Sequence, residues 1–299
     1  MSLPGPMRLL ALLLLLASCA SVPAGCSSQA STSQASASAA AGVPASAASM
    51  LPTPARTVQK DPPMKVIGLI GGVSWASSLE YYAIMNTLVR DRLGSDYSAA
   101  VLMYSIPFGE FSKQERLAAA GDWRPLRRTM IDAASRLKLG GADFIVIASN
   151  TMNSTAGLIE RRVGIPVLNI IDVVGKRIRQ KGLDTVALLG TAYTMEAGFY
   201  RDRLEDRYGL TVVTPDRAER RYINDVIFDQ LCNGIIKPQA RKRFVAIIER
   251  LVADEGAQGI ILGCTEIPLL VEQKDVSVPA FDTTALHAAA AVRRSLGEE

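Results

Sequence analysis

From Lys65 onward the chain alternates short apolar runs with longer amphipathic stretches, and this alternation restricts the fold more than any other feature. Residues 66–70 form an apolar run that ends in Gly71-Gly72. A run of that length without polar alternation is the pattern of a strand covered on both faces, as in a parallel sheet. Residues 101–104, 144–147, 167–170, 186–189 and 259–262 fit the same description, while 123–139 and 238–255 between them carry helical periodicity. The predicted class is therefore α/β, with parallel sheets and helices on both faces.

The chain also repeats itself at three landmarks. Gly141-Ala142 followed by the run to Ser149 matches Gly256-Ala257 followed by the run to Cys264, an offset of 115 residues. Ile165-Pro166-Val167 matches Val278-Pro279-Ala280 at 113, and Leu69-Ile70-Gly71 matches Leu188-Leu189-Gly190 at 119. Similar offsets in one order predict two pseudo-symmetric α/β domains, 63–168 and 169–280, with 281–299 as a C-terminal helix packing back on the first. Ser149 and Cys264 then fall at equivalent places just past the carboxyl end of a strand, where open α/β sheets bind ligands. Two such halves facing each other put these side chains on opposite walls of one cleft.

The segment before residue 63 reads differently. Arg8 precedes an apolar run, Leu9 to Leu16, which is too short to span a bilayer and ends in small residues, so 1–18 is predicted to be a signal peptide. Leu16-Ala17-Ser18-Cys19 has the form of a lipobox, which makes Cys19 the lipidation candidate; cleavage after Ala24 is the alternative. Residues 19–62, rich in Ala, Ser, Gln, Thr and Pro, cannot bury enough surface to offset their ordering entropy and read as a disordered tether. The expected location is periplasmic, with the membrane contacted through a lipid anchor only.

Composition excludes other classes. A net charge of +4 with the basic residues dispersed argues against nucleic acid as a partner. One histidine in 299 residues, and no cysteine or histidine cluster at ligand spacing, predicts no metal site. Cys232 lies in an apolar helical pattern and reads as a buried thiol, a Cys232–Cys264 disulfide being the alternative.

The segments Ile67-Gly68-Leu69-Ile70-Gly71-Gly72, Ser149-Asn150-Thr151 and Gly263-Cys264-Thr265-Glu266, with Gly190-Thr191-Ala192-Tyr193-Thr194-Met195, resemble the signature motifs of the aspartate/glutamate racemase family, over residues 65–293. The resemblance implies racemisation of aspartate, glutamate or both by proton removal and return at the α-carbon, without pyridoxal phosphate or metal, in a homodimer. It makes Cys264 and Ser149 the catalytic pair. Asn150, Thr151, Thr265 and Thr191 become the groups that hold the substrate's carboxylate and ammonium. Usual family members carry a cysteine where this chain has Ser149, and relatives with a hydroxyl there tend to carry a histidine where this chain has Asn153. A serine is a far weaker acid than a thiol, so an asymmetric enzyme is expected, with Cys264 on the L face and Ser149, or a water it holds, on the other. An exported amino-acid receptor derived from a racemase, or a related isomerase or decarboxylase, remain the alternatives.

Cys264, followed by an expected helix start, is predicted to have a lowered thiol pKa. For the substrate's side chain the candidates are Ser105 and Tyr193 as hydroxyls and Lys113 and Arg116 as cations, these last equally readable as solvated helix charges. His287 is expected to pack a helix.

Overall fold

The computed structural model describes residues 63–298; the predicted signal segment, Cys19 and the tether to residue 62 lie outside the described residues. Two four-stranded parallel sheets organise the chain. The first contains β1 (Ile67–Gly71), β2 (Val101–Ser105), β3 (Phe144–Ile147) and β4 (Val167–Leu168), in the order β2-β1-β3-β4. The second contains β5 (Thr185–Gly190), β6 (Thr211–Val213), β7 (Ile260–Gly263) and β8 (Ala280–Asp282), in the order β6-β5-β7-β8. The orders correspond strand for strand, so β3 and β7 hold the same position in their sheets, and the chain is an α/β protein of two similar halves.

The helices are α1 (Trp75–Leu93), α2 (Phe108–Ala119), α3 (Arg124–Leu139), α4 (Ala156–Val163), α5 (Ile170–Gln180), α6 (Ala192–Glu196), α7 (Phe199–Tyr208), α8 (Arg217–Asp229), α9 (Pro238–Glu255), α10 (Ile267–Leu270) and α11 (Thr283–Ser295). Their local signals are clear in the longer ones. α9 opens on Pro238, whose missing N–H costs nothing at the first position, and is closed by Gly256 at φ 68°. It buries Phe244, Ile247, Ile248 and Leu251, one face at helical spacing, against β5 and β7. Each such side chain contributes roughly 1.5–3 kcal/mol by leaving water.

Each sheet is covered on both faces. α3 and α4 pack one side of the first sheet and α1 with α11 the other, where Tyr81, Met85 and Val89 meet Ala288, Ala291 and Val292. In the second, α5 and α7 cover one side, α8 and α9 the other. The C-terminal helix thus packs on the first half. His287 of α11 is fully buried there, its Nδ1 2.8 Å from Tyr81 Oη and its Nε2 2.7 Å from the Leu168 carbonyl. Burial pushes its pKa down to about 4, so it packs as a neutral ring.

Two expectations are corrected. The run 167–170 does not continue as a strand beyond Leu168: Asn169 is extended and its Oδ1 accepts from Ile171 N–H at 2.9 Å, capping α5, so Ile170 is helical. Cys232 is not a core residue and forms no disulfide. α8 ends at Asp229, a 3₁₀ turn Leu231–Asn233 follows, and Leu231 takes the buried place while Cys232 is an exposed residue of the turn. The residue as a whole is exposed, yet its sulfur is shielded, and that burial with the nearby charges of Glu266 and Glu115 pushes the thiol up to about 12.

Candidate active site

The site grows from the carboxyl ends of the central strands. Between β1 and α1 the chain turns at Gly72, whose φ of 86° and closeness to Ile106 (an added Cβ would lie 2.2 Å from its carbonyl oxygen) admit only glycine. That turn aims α1 at the cleft: Ser74 caps the helix, and Ser77, in its first turn, reaches the other half. At the end of β7, Gly263 lies so close to the Leu189 carbonyl of β5 that an added Cβ would meet it at 2.7 Å. The next residue is Cys264.

Ser149 and Cys264 therefore leave equivalent strands, β3 and β7. Their surroundings differ. Ser149 is half-buried, and its Oγ accepts from Met152 N–H at 3.3 Å, heading the 3₁₀ turn Thr151–Thr155. Asn150 is buried, and its Nδ2 donates to Thr283 Oγ1 at 2.9 Å. Thr283 in turn donates to the Leu262 carbonyl at 3.0 Å, so its oxygen is the acceptor and Asn150 must offer its amide N–H. The Asn150 carbonyl oxygen is buried and accepts from no protein group among the described residues.

Across the cleft, Thr151 Oγ1 lies 3.4 Å from Thr191 Oγ1 and 3.2 Å from Thr194 Oγ1. Thr191 also caps α6, its Oγ1 accepting from Thr194 N–H. Thr265 Oγ1 stands 2.7 Å from Ser77 Oγ and donates to Glu266 Oε2 at 2.6 Å. Ser149, Asn150, Thr151, Thr191, Thr265 and Cys264 thus gather at the strand ends where the halves meet. Ser105 does not join the network; it is exposed at the end of β2, beside Gly71. Lys113 is an exposed partner of Glu110 at 3.5 Å. Tyr193 stacks between Trp123, centroids 4.6 Å apart, and Phe199 at 5.4 Å, which joins the halves by an aromatic contact. Asn153 is a structural clamp: Nδ2 donates to the Ile147 and Ser149 carbonyls, and Oδ1 accepts from Ile170 N–H.

The expected lowering of the Cys264 thiol pKa is reversed. Burial, then the charge of Glu266 and the hydrogen bond from Sγ to Glu266 Oε2 at 3.0 Å, push it well above the ordinary value; the Glu266 backbone N–H pulls it down too little to compensate. The helix that follows, α10, is four residues long and starts after Glu266, too short a dipole to outweigh a carboxylate in contact. Sequence reasoning singled out neither Glu266 nor Ser77 as working groups. Glu266 was visible as the residue two after Cys264; Ser77 carried no signal, because its partners are 188 and 189 residues away.

Residues 70–291 match the model of the Asp/Glu/hydantoin racemase family. The chain belongs to that family. Among solved structures, this racemase-family chain resembles a candidate Asp/Glu racemase from Yersinia pestis, with 47% identity, a TM-score of 0.73, and coverage of 78% of this chain and 100% of that one. It also resembles an aspartate racemase homologue from Pyrococcus horikoshii, with 36% identity, a TM-score of 0.69, and coverage of 78% and 99%. The broad-specificity amino-acid racemase RacX of Bacillus subtilis is 25% identical over 166 residues, 55% of this chain and 70% of that one.

Proposed function

We propose that the chain is a cofactor-independent racemase of an acidic amino acid, aspartate or glutamate, which removes the α-proton on one face and returns it on the other. The observation that carries this reading is the pairing of Cys264 with Ser149 at equivalent strand ends, beside an Asn150 carbonyl oxygen that is buried and unpartnered. Cys264 works on the L face. Ser149, or a water held by it, serves the opposite face. Asn150 accepts from the substrate ammonium, and the hydroxyls of Thr151, Thr191 and Thr265 bind the carboxylate. With its pKa raised, Cys264 rests as a thiol, ready to donate; as a base it needs an acceptor for its own proton.

The test is α-proton exchange in heavy water, followed by nuclear magnetic resonance over a panel of L- and D-amino acids, with a chelator present and pyridoxal phosphate absent. An acidic amino acid exchanges fastest if the reading holds. Binding without exchange turns the reading to a receptor, and activity restored only by a metal or pyridoxal phosphate overturns it.

We further propose that the protein is exported and held at the membrane by a lipid on Cys19, the reading supported by the lipobox pattern and the polar stretch after it. Replacing Cys19 with alanine should move the protein from the membrane to the soluble fraction without altering exchange per molecule. Unchanged membrane partition would point to plain cleavage instead.

A further inference from the structure

Thr283 is fully buried, and its one hydroxyl joins the two walls of the site. Oγ1 donates to the carbonyl of Leu262, the β7 residue two before Cys264, at 3.0 Å. The same oxygen accepts at 2.9 Å from Nδ2 of Asn150, the residue after Ser149. Thr283 is itself held from both sides. It follows β8, which lies against β7 with Asp282 opposite Leu262, and it opens α11 behind the Asp282 cap, whose Oδ1 accepts from Ala285 N–H at 3.0 Å. One turn further on, His287 fastens the same helix to the first half through Tyr81 Oη and the Leu168 carbonyl.

A carbonyl only accepts, so the Thr283 hydrogen is committed to Leu262 and a lone pair alone is left for Asn150. Turning the Asn150 amide by half a rotation would set its carbonyl oxygen against that lone pair. Thr283 therefore selects between two amide orientations that are nearly alike in shape but opposite in polarity.

We infer that Thr283 is the positioning residue that holds Asn150 with its carbonyl oxygen free for the substrate ammonium. This rests on the reading of Asn150 as the group that accepts from the ammonium. The free oxygen belongs to a side chain only 4% exposed and has no protein donor among the described residues. The reversed amide would present N–H donors to a cation, so the orientation decides between attraction and repulsion. Because the same hydroxyl ties Asn150 to β7, the ammonium site is set by both halves together.

Thr283→Val keeps the shape and removes both bonds. Calorimetric titration of wild-type and variant protein with L-aspartate, L-glutamate and their deaminated counterparts, succinate and glutarate, isolates the ammonium contact. The amino acid that wild-type protein binds should bind the variant about tenfold more weakly or worse, the scale of a lost hydrogen bond to a charged group. The matching diacid, which has no ammonium, should bind as before. Thr283→Ser, which keeps the hydroxyl, should restore the amino acid's affinity. In an Asn150→Ala background, Thr283→Val should lower that affinity no further, since both changes act on one contact. Equal weakening of amino acid and diacid would make Thr283 a general support of the site and overturn the inference. Unchanged amino-acid binding, or a further loss in the double variant, would overturn it too. Should Thr283→Val not fold, Thr283→Ala removes the same oxygen without setting a methyl group against the Leu262 carbonyl, and the same outcomes decide. Wild-type protein that binds the amino acid but exchanges no α-proton defeats the racemase reading alone, and the affinities still decide the role of Thr283. Wild-type protein that binds neither amino acid defeats both.

Discussion

Cys264→Ala is expected to lower α-proton exchange of the L enantiomer by roughly 10³-fold or more, with thermal unfolding near that of the parent. Cys264 follows a fully buried strand but is itself half-buried, and its Sγ donates to Glu266 Oε2. Truncation therefore opens little space and leaves Glu266 with Thr265 and Ser77 as donors. Cys264→Ser is the closer control. Its hydroxyl can still donate to Glu266, so the local geometry survives, but an alkoxide is far less accessible than a thiolate. Equal loss in both variants, read by nuclear magnetic resonance in heavy water, assigns the effect to thiol chemistry. Wild-type exchange in either would refute Cys264 as the base.

Wild-type protein is expected to exchange the α-proton of the L enantiomer much faster than that of the D enantiomer, and Ser149→Cys to raise D-side exchange roughly tenfold or more. A proton taken from the D face must go to the Ser149 side, where an alcohol is a poor base. The two enantiomers still reach their equilibrium ratio, so the asymmetry lies in initial rates and not in the end point. The surroundings of Ser149 suit a thiolate better than those of Cys264 do. Its Oγ accepts from Met152 N–H at the head of a 3₁₀ turn, and that N–H would hold a negative sulfur. Cys264, by contrast, has a carboxylate against it. A wild-type protein that exchanges both enantiomers equally would mean that a base other than these two serves the D face.

The contrast between these two positions also shows how far residue order reaches. The central strands β1, β3, β5 and β7 are legible because each is buried on both faces and must be written in apolar residues throughout. α3 and α9 are legible from their proline starts, their periodic faces and the glycines that follow. Elements that depend on partners are less so. β4 keeps two residues because Asn169 prefers to cap α5, a choice between two local structures that the apolar run does not reveal. Cys232 looks apolar in a helical pattern, yet where α8 stops decides which residues of the turn are exposed.

By itself the sequence determined the fold class, the two-half repeat, and the places of Ser149 and Cys264 at matching strand ends, because these follow from local periodicity and short motifs. Tertiary structure alone decided the protonation of Cys264, the unpartnered oxygen of Asn150 and the service of Ser77 to the opposite half. The reason is physical. A thiol's pKa is set by burial and by the charges within a few ångströms of it, and a hydrogen bond by atoms that meet in space; neither depends on how far apart the residues lie along the chain.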